Sequence, residues 1–218
     1  MKLEYLGHAA FQLELGDGRT IVFDPYEPGS YDGALGYGPI EGWFDIAVVS
    51  HGHPDHVSEA VVKKAKDVVE SAGTRDFEGV TVRSHATYHD ESEGSERGTN
   101  LVSIVEAEGL RIAHLGDLGH FVTKDEMPEL AGVDVMLVPV GGHFTIDAET
   151  AMRVVEEFGP RIVVPMHFKT GKIGFPIASV DPFTALAGDF EAPGGSELEI
   201  AKDTLPEKRT FVLLDPAL

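Results

Sequence analysis

The segment His51-Gly52-His53-Pro54-Asp55-His56 gathers three imidazoles and a carboxylate in six residues, directly after the apolar run Asp45-Ile46-Ala47-Val48-Val49-Ser50. Neutral imidazole and carboxylate are the donors that borderline divalent metals take. Crowding them together without a cation would leave several groups competing for few partners. Residues two apart on an extended chain point the same way, so His51 and His53 can grip one ion. Pro54 turns the backbone, and Asp55 and His56 can then face a second ion. The apolar run reads as a buried strand that delivers this cluster at its end.

The rest of the chain fits that start. Its 218 residues are 42% hydrophobic and 25% charged, which suits one soluble globular domain, 1–218, with a sizeable core. There is no cysteine, so disulfides and thiolate metal sites are excluded. Net charge is −20, and such a field disfavours broad nucleic-acid binding. The opening residues lack a signal-peptide core and no run approaches a membrane span, so a cytoplasmic location is expected, with no membrane partner.

Strands are expected at Lys2–Leu6, Ala10–Leu15 and Arg19–Phe23, the last two joined through Gly16-Asp17-Gly18. Residues 28–44 are rich in glycine and proline and read as a loop. Its Tyr31, Tyr37 and Trp43 either meet substrate or anchor the loop. Ser58 is expected to cap a helix reaching Lys66. Further strands are expected at 68–69, Val80–Ser84, Leu101–Ala107, Leu110–Leu115, Val133–Val140, Ile162–Met166 and Phe211–Leu214. Asp147 is a helix cap ahead of an apolar stripe at Ala151, Val154, Val155 and Phe158, and Gly159-Pro160 stops that helix. A weak internal echo is visible. A strand ending in Asp24 and one ending in Asp117 each lead, through a connection, to an apolar strand and then to histidine.

His-x-His-x-Asp-His after a buried strand resembles the metallo-β-lactamase superfamily, and further stretches agree in the same order: Asp24, Thr87-Tyr88-His89-Asp90, Ala113-His114-Leu115-Gly116-Asp117 and Val164-Pro165-Met166-His167. Gly7-His8, Arg97-Gly98-Thr99-Asn100 and Val140-Gly141-Gly142-His143-Phe144-Thr145 are similar to a small single-domain branch related to L-ascorbate-6-phosphate lactonase. The resemblance implies an α+β fold, an αββα sandwich of two mixed β-sheets face to face with helices on both outer faces. It implies that His51, His53 and His89 hold a first metal, that Asp55, His56 and His167 hold a second, and that Asp117 bridges them. His85, four residues upstream, is the rival of His89. Asp24 is placed behind the metal histidines, supporting them.

Zinc is the expected metal, as a pair, with manganese or iron as alternatives. The expected activity is hydrolysis of an ester-type bond, in a lactone or a phosphate ester, by a metal-bound hydroxide. Asp55 would orient the attacking group, and His143 would contact substrate or give a proton. The alternatives are a redox member of the same fold, against which His53 stands where those relatives carry Glu, and a non-enzymatic metal-binding protein. The partner is a small molecule, anionic if Lys169 and Lys172 border the site; otherwise these are solvated loop lysines. Roles for His8, His114, His120 and Arg97 stay open, and the oligomeric state is not legible.

Overall fold

The computed structural model describes residues 1–218. Thirteen strands follow one another: β1 (Lys2–Gly7), β2 (Ala10–Glu14), β3 (Thr20–Phe23), β4 (Phe44–Val48), β5 (Ala65–Val69), β6 (Gly73–Phe77), β7 (Val80–Tyr88), β8 (Thr99–Ala107), β9 (Leu110–His114), β10 (Val135–Pro139), β11 (Ile162–Met166), β12 (Glu197–Glu199) and β13 (Thr210–Phe211). They form two sheets, ordered β12-β1-β2-β3-β4-β5 and β13-β11-β10-β9-β8-β7-β6.

Each half of the chain repeats one topology. In the first, β1, β2 and β3 form an antiparallel meander, and β4 and β5 then add in parallel. In the second, β7, β8 and β9 form the meander, and β10 and β11 add in parallel. The internal echo in the sequence is therefore a repeat of strand order. The parallel strands of each sheet end at a common edge, where open α/β sheets place their ligands.

Burial explains the strand composition. Alternate residues of β7 are buried over most of its length, as for a sheet with one covered face. Every residue of β10 and of β11 is buried, as for parallel strands covered on both faces. The main core lies between the sheets and runs from Leu3, Phe11 and Ile21 to Ile104, Ile112 and Val164.

The helical layers are thin and uneven. The second sheet carries a helix at Ala148–Phe158, capped as expected by Asp147, whose carboxylate accepts from the Thr150 N–H at 2.8 Å. Such a cap is worth about 1 kcal/mol. Gly159 ends the helix in the left-handed conformation, φ 67°. A second helix, Asp181–Ala187, packs on it. The first sheet has only two single helical turns, Ser30–Gly33 and Glu59–Val62. Its outer face is covered instead by the 25–43 loop, with Tyr26, Leu35, Tyr37 and Ile40 packing on Val22 and Ala47.

Two expectations need correction. The helix after Ser58 stops at Val62 instead of reaching Lys66, because Ala65–Val69 pairs in parallel with β4 as strand β5. Ser58 holds the N-cap position as expected but makes no side-chain capping bond, its hydroxyl donating instead to Glu27 at 2.6 Å. The last strand is also shorter than expected, Thr210–Phe211. No helix is long and apolar enough to cross a membrane.

Candidate metal centre

Strand ends supply the site. His8 follows β1, Asp24 follows β3, the 51–56 cluster follows β4, His89 follows β7, Asp117 follows β9 and His167 follows β11. His8 and His89 thus occupy matching positions in the two halves.

Three overlapping groups bring their ligand atoms within 4.8 Å of one another: His51, His53 and His89; His8, Asp55, His56 and His167; and His51, His56 and Asp117. Asp117 lies between the first two. Its Oδ2 is 3.1 Å from His89 Nε2 and 3.9 Å from His51 Nε2. Its Oδ1 is 3.1 Å from His56 Nε2 and 3.4 Å from His167 Nε2. One carboxylate oxygen therefore faces each group.

Asp24 arranges the imidazoles from behind. It accepts from the Ser50 N–H at 2.7 Å, from the Ser50 hydroxyl at 2.6 Å and from His56 Nδ1 at 2.7 Å. Since the Ser50 hydroxyl donates to Asp24, its oxygen must accept from His51 Nδ1, 2.9 Å away. Both histidines thereby carry a proton on Nδ1; His51 Nε2 then accepts from His53 Nδ1 at 2.9 Å, while His56 Nε2 faces Asp117. The Asp117 turn is fixed in its own way. Asn100 accepts from the Asp117 N–H at 2.8 Å and donates to Leu115 O at 2.9 Å. Gly116 is needed there, because its φ is +54° and a Cβ would strike the Asn100 side chain.

Electrostatics favour a cation. Burial lowers His51 and His167 to about 3 against an ordinary 6.5, so both are neutral imidazoles at neutral pH. Burial opposes charge on His56 as well, yet the carboxylates of Asp117, Asp55 and Asp24 raise it well above its ordinary range. Against its own burial, Asp117 is held far below the carboxylate range by His167 and His56. His56 Nε2, Asp117 Oδ1, both nitrogens of His167 and His89 Nδ1 are buried without a hydrogen-bond partner. Although His56 Nε2 and Asp117 Oδ1 are 3.1 Å apart, they are not aligned as a hydrogen bond; both point into shared space. Buried polar atoms are rarely left so. A donor set of imidazoles and carboxylates, bare and convergent, fits divalent metal.

The backbone is strained here. His8, Asp24, His143 and His167 have φ of 56°, 41°, 62° and 53°. Such conformations cost non-glycine residues of order 1–3 kcal/mol and cluster at functional sites.

Above the groups lies a cavity of about 410 Å³. His53, Asp55, His89 and Asp117 reach it from below, Tyr31, Phe144 and Phe175 wall it, and Arg97 stands at its edge. The Tyr31 hydroxyl donates to Asp55 Oδ1 at 3.2 Å, while His8 Nε2 holds Asp55 Oδ2 at 3.1 Å.

The structure thus gathers His51, His53, Asp55, His56, His89, Asp117 and His167. His143 stands elsewhere: it is exposed and lines a neighbouring cavity, with Glu91, Glu96 and Asp147 on the same wall. His85 is outside every group, in strand β7. His114 packs, stacked on Phe23 at 5.3 Å and bonded to Ala9 O at 2.8 Å. His120 bonds Phe121 O within its loop. Lys169 is occupied by Phe175 O at 2.7 Å, and Lys172 lies over the Tyr37 ring. Of the three loop aromatics, Tyr31 meets the cavity. Tyr37 anchors the loop through Thr170 at 2.8 Å, and Trp43 is 79% exposed at the opposite end of β4. Asn100 and His8 are the residues whose part the sequence did not reveal.

The comparisons agree with this geometry. Residues 2–167 match the model of the beta-lactamase superfamily domain. A UPF0173 metal-dependent hydrolase of Thermococcus kodakarensis is 32% identical over 216 residues, 87% of this chain and 93% of that protein. One from Thermus thermophilus is 34% identical over 194 residues, 78% and 84% of the two chains. A Thermotoga maritima structure assigned to the zinc-dependent hydrolases of the metallo-β-lactamase superfamily superposes with a TM-score of 0.80 at 33% identity, covering 98% of this chain and 97% of that one. Igni18, a metallo hydrolase of Ignicoccus hospitalis, gives 0.67 at 26% identity, covering 91% and 98%. The chain belongs to the metallo-β-lactamase superfamily, within its UPF0173 metal-dependent hydrolases.

Proposed function

We propose that this chain hydrolyses an ester-type bond of a small molecule, a lactone or a phosphate ester, with a pair of divalent cations. The observation that carries the reading is the convergence of imidazoles on the two oxygens of Asp117, with Oδ1, His56 Nε2 and His167 Nε2 buried and unpartnered and His89 Nε2 at Oδ2. His51, His53 and His89 would hold one cation, Asp55, His56 and His167 the other, and Asp117 would touch both. Zinc suits the imidazole-rich set, and manganese or iron also fit it. When bound, such a pair supplies the Lewis acidity that acidifies a water and offsets negative charge gathering on the substrate.

The protein's share is orientation and exclusion of water. Asp24 and Ser50 keep the tautomers of His51 and His56 ready. Asp55 is clamped between His8 and Tyr31 at the cavity floor, where its carboxylate orients the attacking water. His143 lies in the adjoining cavity, and the Tyr31 proton is given to Asp55, so neither is assigned to the leaving group. The redox alternative lacks comparable support, since an imidazole at position 53 joins the first group.

Elemental analysis of the purified protein should find up to two divalent ions per chain. Turnover is then measured on a panel of lactones, phosphodiesters and phosphate monoesters, before and after chelation. Asp55→Ala should abolish it. A metal-replete protein inert across that panel, or a fully active Asp55→Ala, rejects the reading.

A further inference from the structure

We propose that Arg97 anchors an oxyanion of the substrate, so that the substrate class is a hydrolysable small molecule with an apolar body and a single negatively charged group. This rests on the hydrolase reading above and narrows it.

Three independent features lead there. The first is the composition of the cavity. Tyr31, Phe144 and Phe175 offer apolar walls, and Arg97 is the one guanidinium or ammonium group on its lining. An apolar body with one polar handle is what such a lining selects.

The second is unused donor capacity. A guanidinium carries five N–H donors in a rigid fork suited to carboxylate or phosphate. Arg97 makes one long contact, Nη1 to Glu96 Oε2 at 3.4 Å, and lies 5.8 Å from the Phe144 ring centre. Arg111, by contrast, engages Glu106, Ala131 O and Glu129 O. Lys169 is committed to Phe175 O and is not a rival anchor.

The third is how Arg97 is held. Asp90, buried and next to the candidate ligand His89, accepts four backbone N–H groups: Ser92 at 2.8 Å, Gly94 at 2.8 Å, Glu96 at 3.1 Å and Arg97 at 2.8 Å. The loop closes where His89 N–H donates to Gly98 O at 3.0 Å and Gly98 N–H donates to Gly94 O at 2.9 Å. The backbone of Arg97 is therefore locked to the backbone of His89. An anion on the guanidinium would sit at a fixed place relative to the metal groups, and preorganised contacts lose less affinity to ordering. The limit of one charge comes from the lack of a second guanidinium or ammonium group on the lining; the adjoining cavity, which Arg97 also borders, adds the carboxylates of Glu91, Glu96 and Asp147 and no further anchor.

Zinc-loaded wild type, Arg97→Gln and Arg97→Lys are titrated by calorimetry with benzenesulfonate and with neutral methyl phenyl sulfone. A sulfonate binds metals weakly, so it reports on the guanidinium. Arg97→Gln should weaken the sulfonate tenfold or more, Arg97→Lys less, and the sulfone should be unaffected. Equal sulfonate affinity in Arg97→Gln, equal loss for both probes, or no saturable sulfonate binding by wild type overturns the inference. Metal content of the same samples separates the two readings. A metal-loaded wild type indifferent to Arg97→Gln removes only the anchor, whereas a chain that takes up no metal removes the hydrolase.

Discussion

Asp24 and Asp117 both follow the last strand of a three-stranded meander, one in each half of the chain, and they do opposite things. Asp24 is saturated: Ser50 and His56 use both of its oxygens at 2.6–2.7 Å. Asp117 has one oxygen without any hydrogen-bond partner, and four imidazoles surround the pair. The same topological position thus yields an organiser in one sheet and an open ligand in the other. The difference comes from the segments that leave β4 and β10. After β4 come Ser50 and the histidine cluster, which turn back on Asp24. After β10 come Gly141 and Gly142, which leave Asp117 untouched.

The largest effect that could break this contrast is at Asp117 itself. Asp117→Ala should lower turnover about a thousandfold and reduce bound metal, read by elemental analysis and steady-state rates. Asp24→Asn should differ in kind. The amide has one accepting oxygen and cannot keep all three bonds to Ser50 and His56, so metal affinity should fall about 10–100-fold while turnover returns at saturating metal. If the two variants behave alike, the assignment of separate roles is wrong. Ser50→Ala sharpens the point further, because only His51 loses its tautomer partner. One of two metal-binding steps should weaken, by about tenfold, in a competition titration.

The smallest effect is on the pH dependence of the metal-free protein. His51 and His167 titrate near 3 when folded against 6.5 when unfolded. Between those values the unfolded chain binds more protons, so stability is full above about 6.5 and drains as pH falls towards 3. His56, raised in the folded state, works in the other direction: its contribution is present below 6.5 and is lost as pH rises through its folded value. Denaturant midpoints of chelated protein should fall as pH drops from 6.5 towards 4, where His56 adds no slope; a flat or rising midpoint over that range would contradict the lowered values of His51 and His167.

Much of this was legible in the sequence because burial writes a pattern. β10, β11 and the Ala148–Phe158 helix announce themselves by apolar runs and spacing, and the ligand cluster by its chemistry. The misses are elements that bury little. β6, Gly-Thr-Arg-Asp-Phe, is almost wholly exposed at a sheet edge, so it carries no hydrophobic period. The end of β5 was expected as a strand at 68–69, but its start, Ala65-Lys66, looked like the rest of a helix, and pairing with β4 overrode that propensity. Asn100 and His8 stood in recognisable motifs, but their parts stayed open because their contacts, to Asp117 and Asp55, span 17 and 47 residues. His143 misled for the opposite reason. Its place after β10 was right, but its side chain leaves the metal cavity for the next one.

The left-handed bends at His8 and His167 carry a last consequence for anyone who would harden this protein against heat. A glycine relaxes in that conformation, so a design that rewards local backbone comfort will nominate those positions first. Accepting the suggestion would delete an imidazole from the buried group and leave a sturdier shell with its chemistry removed.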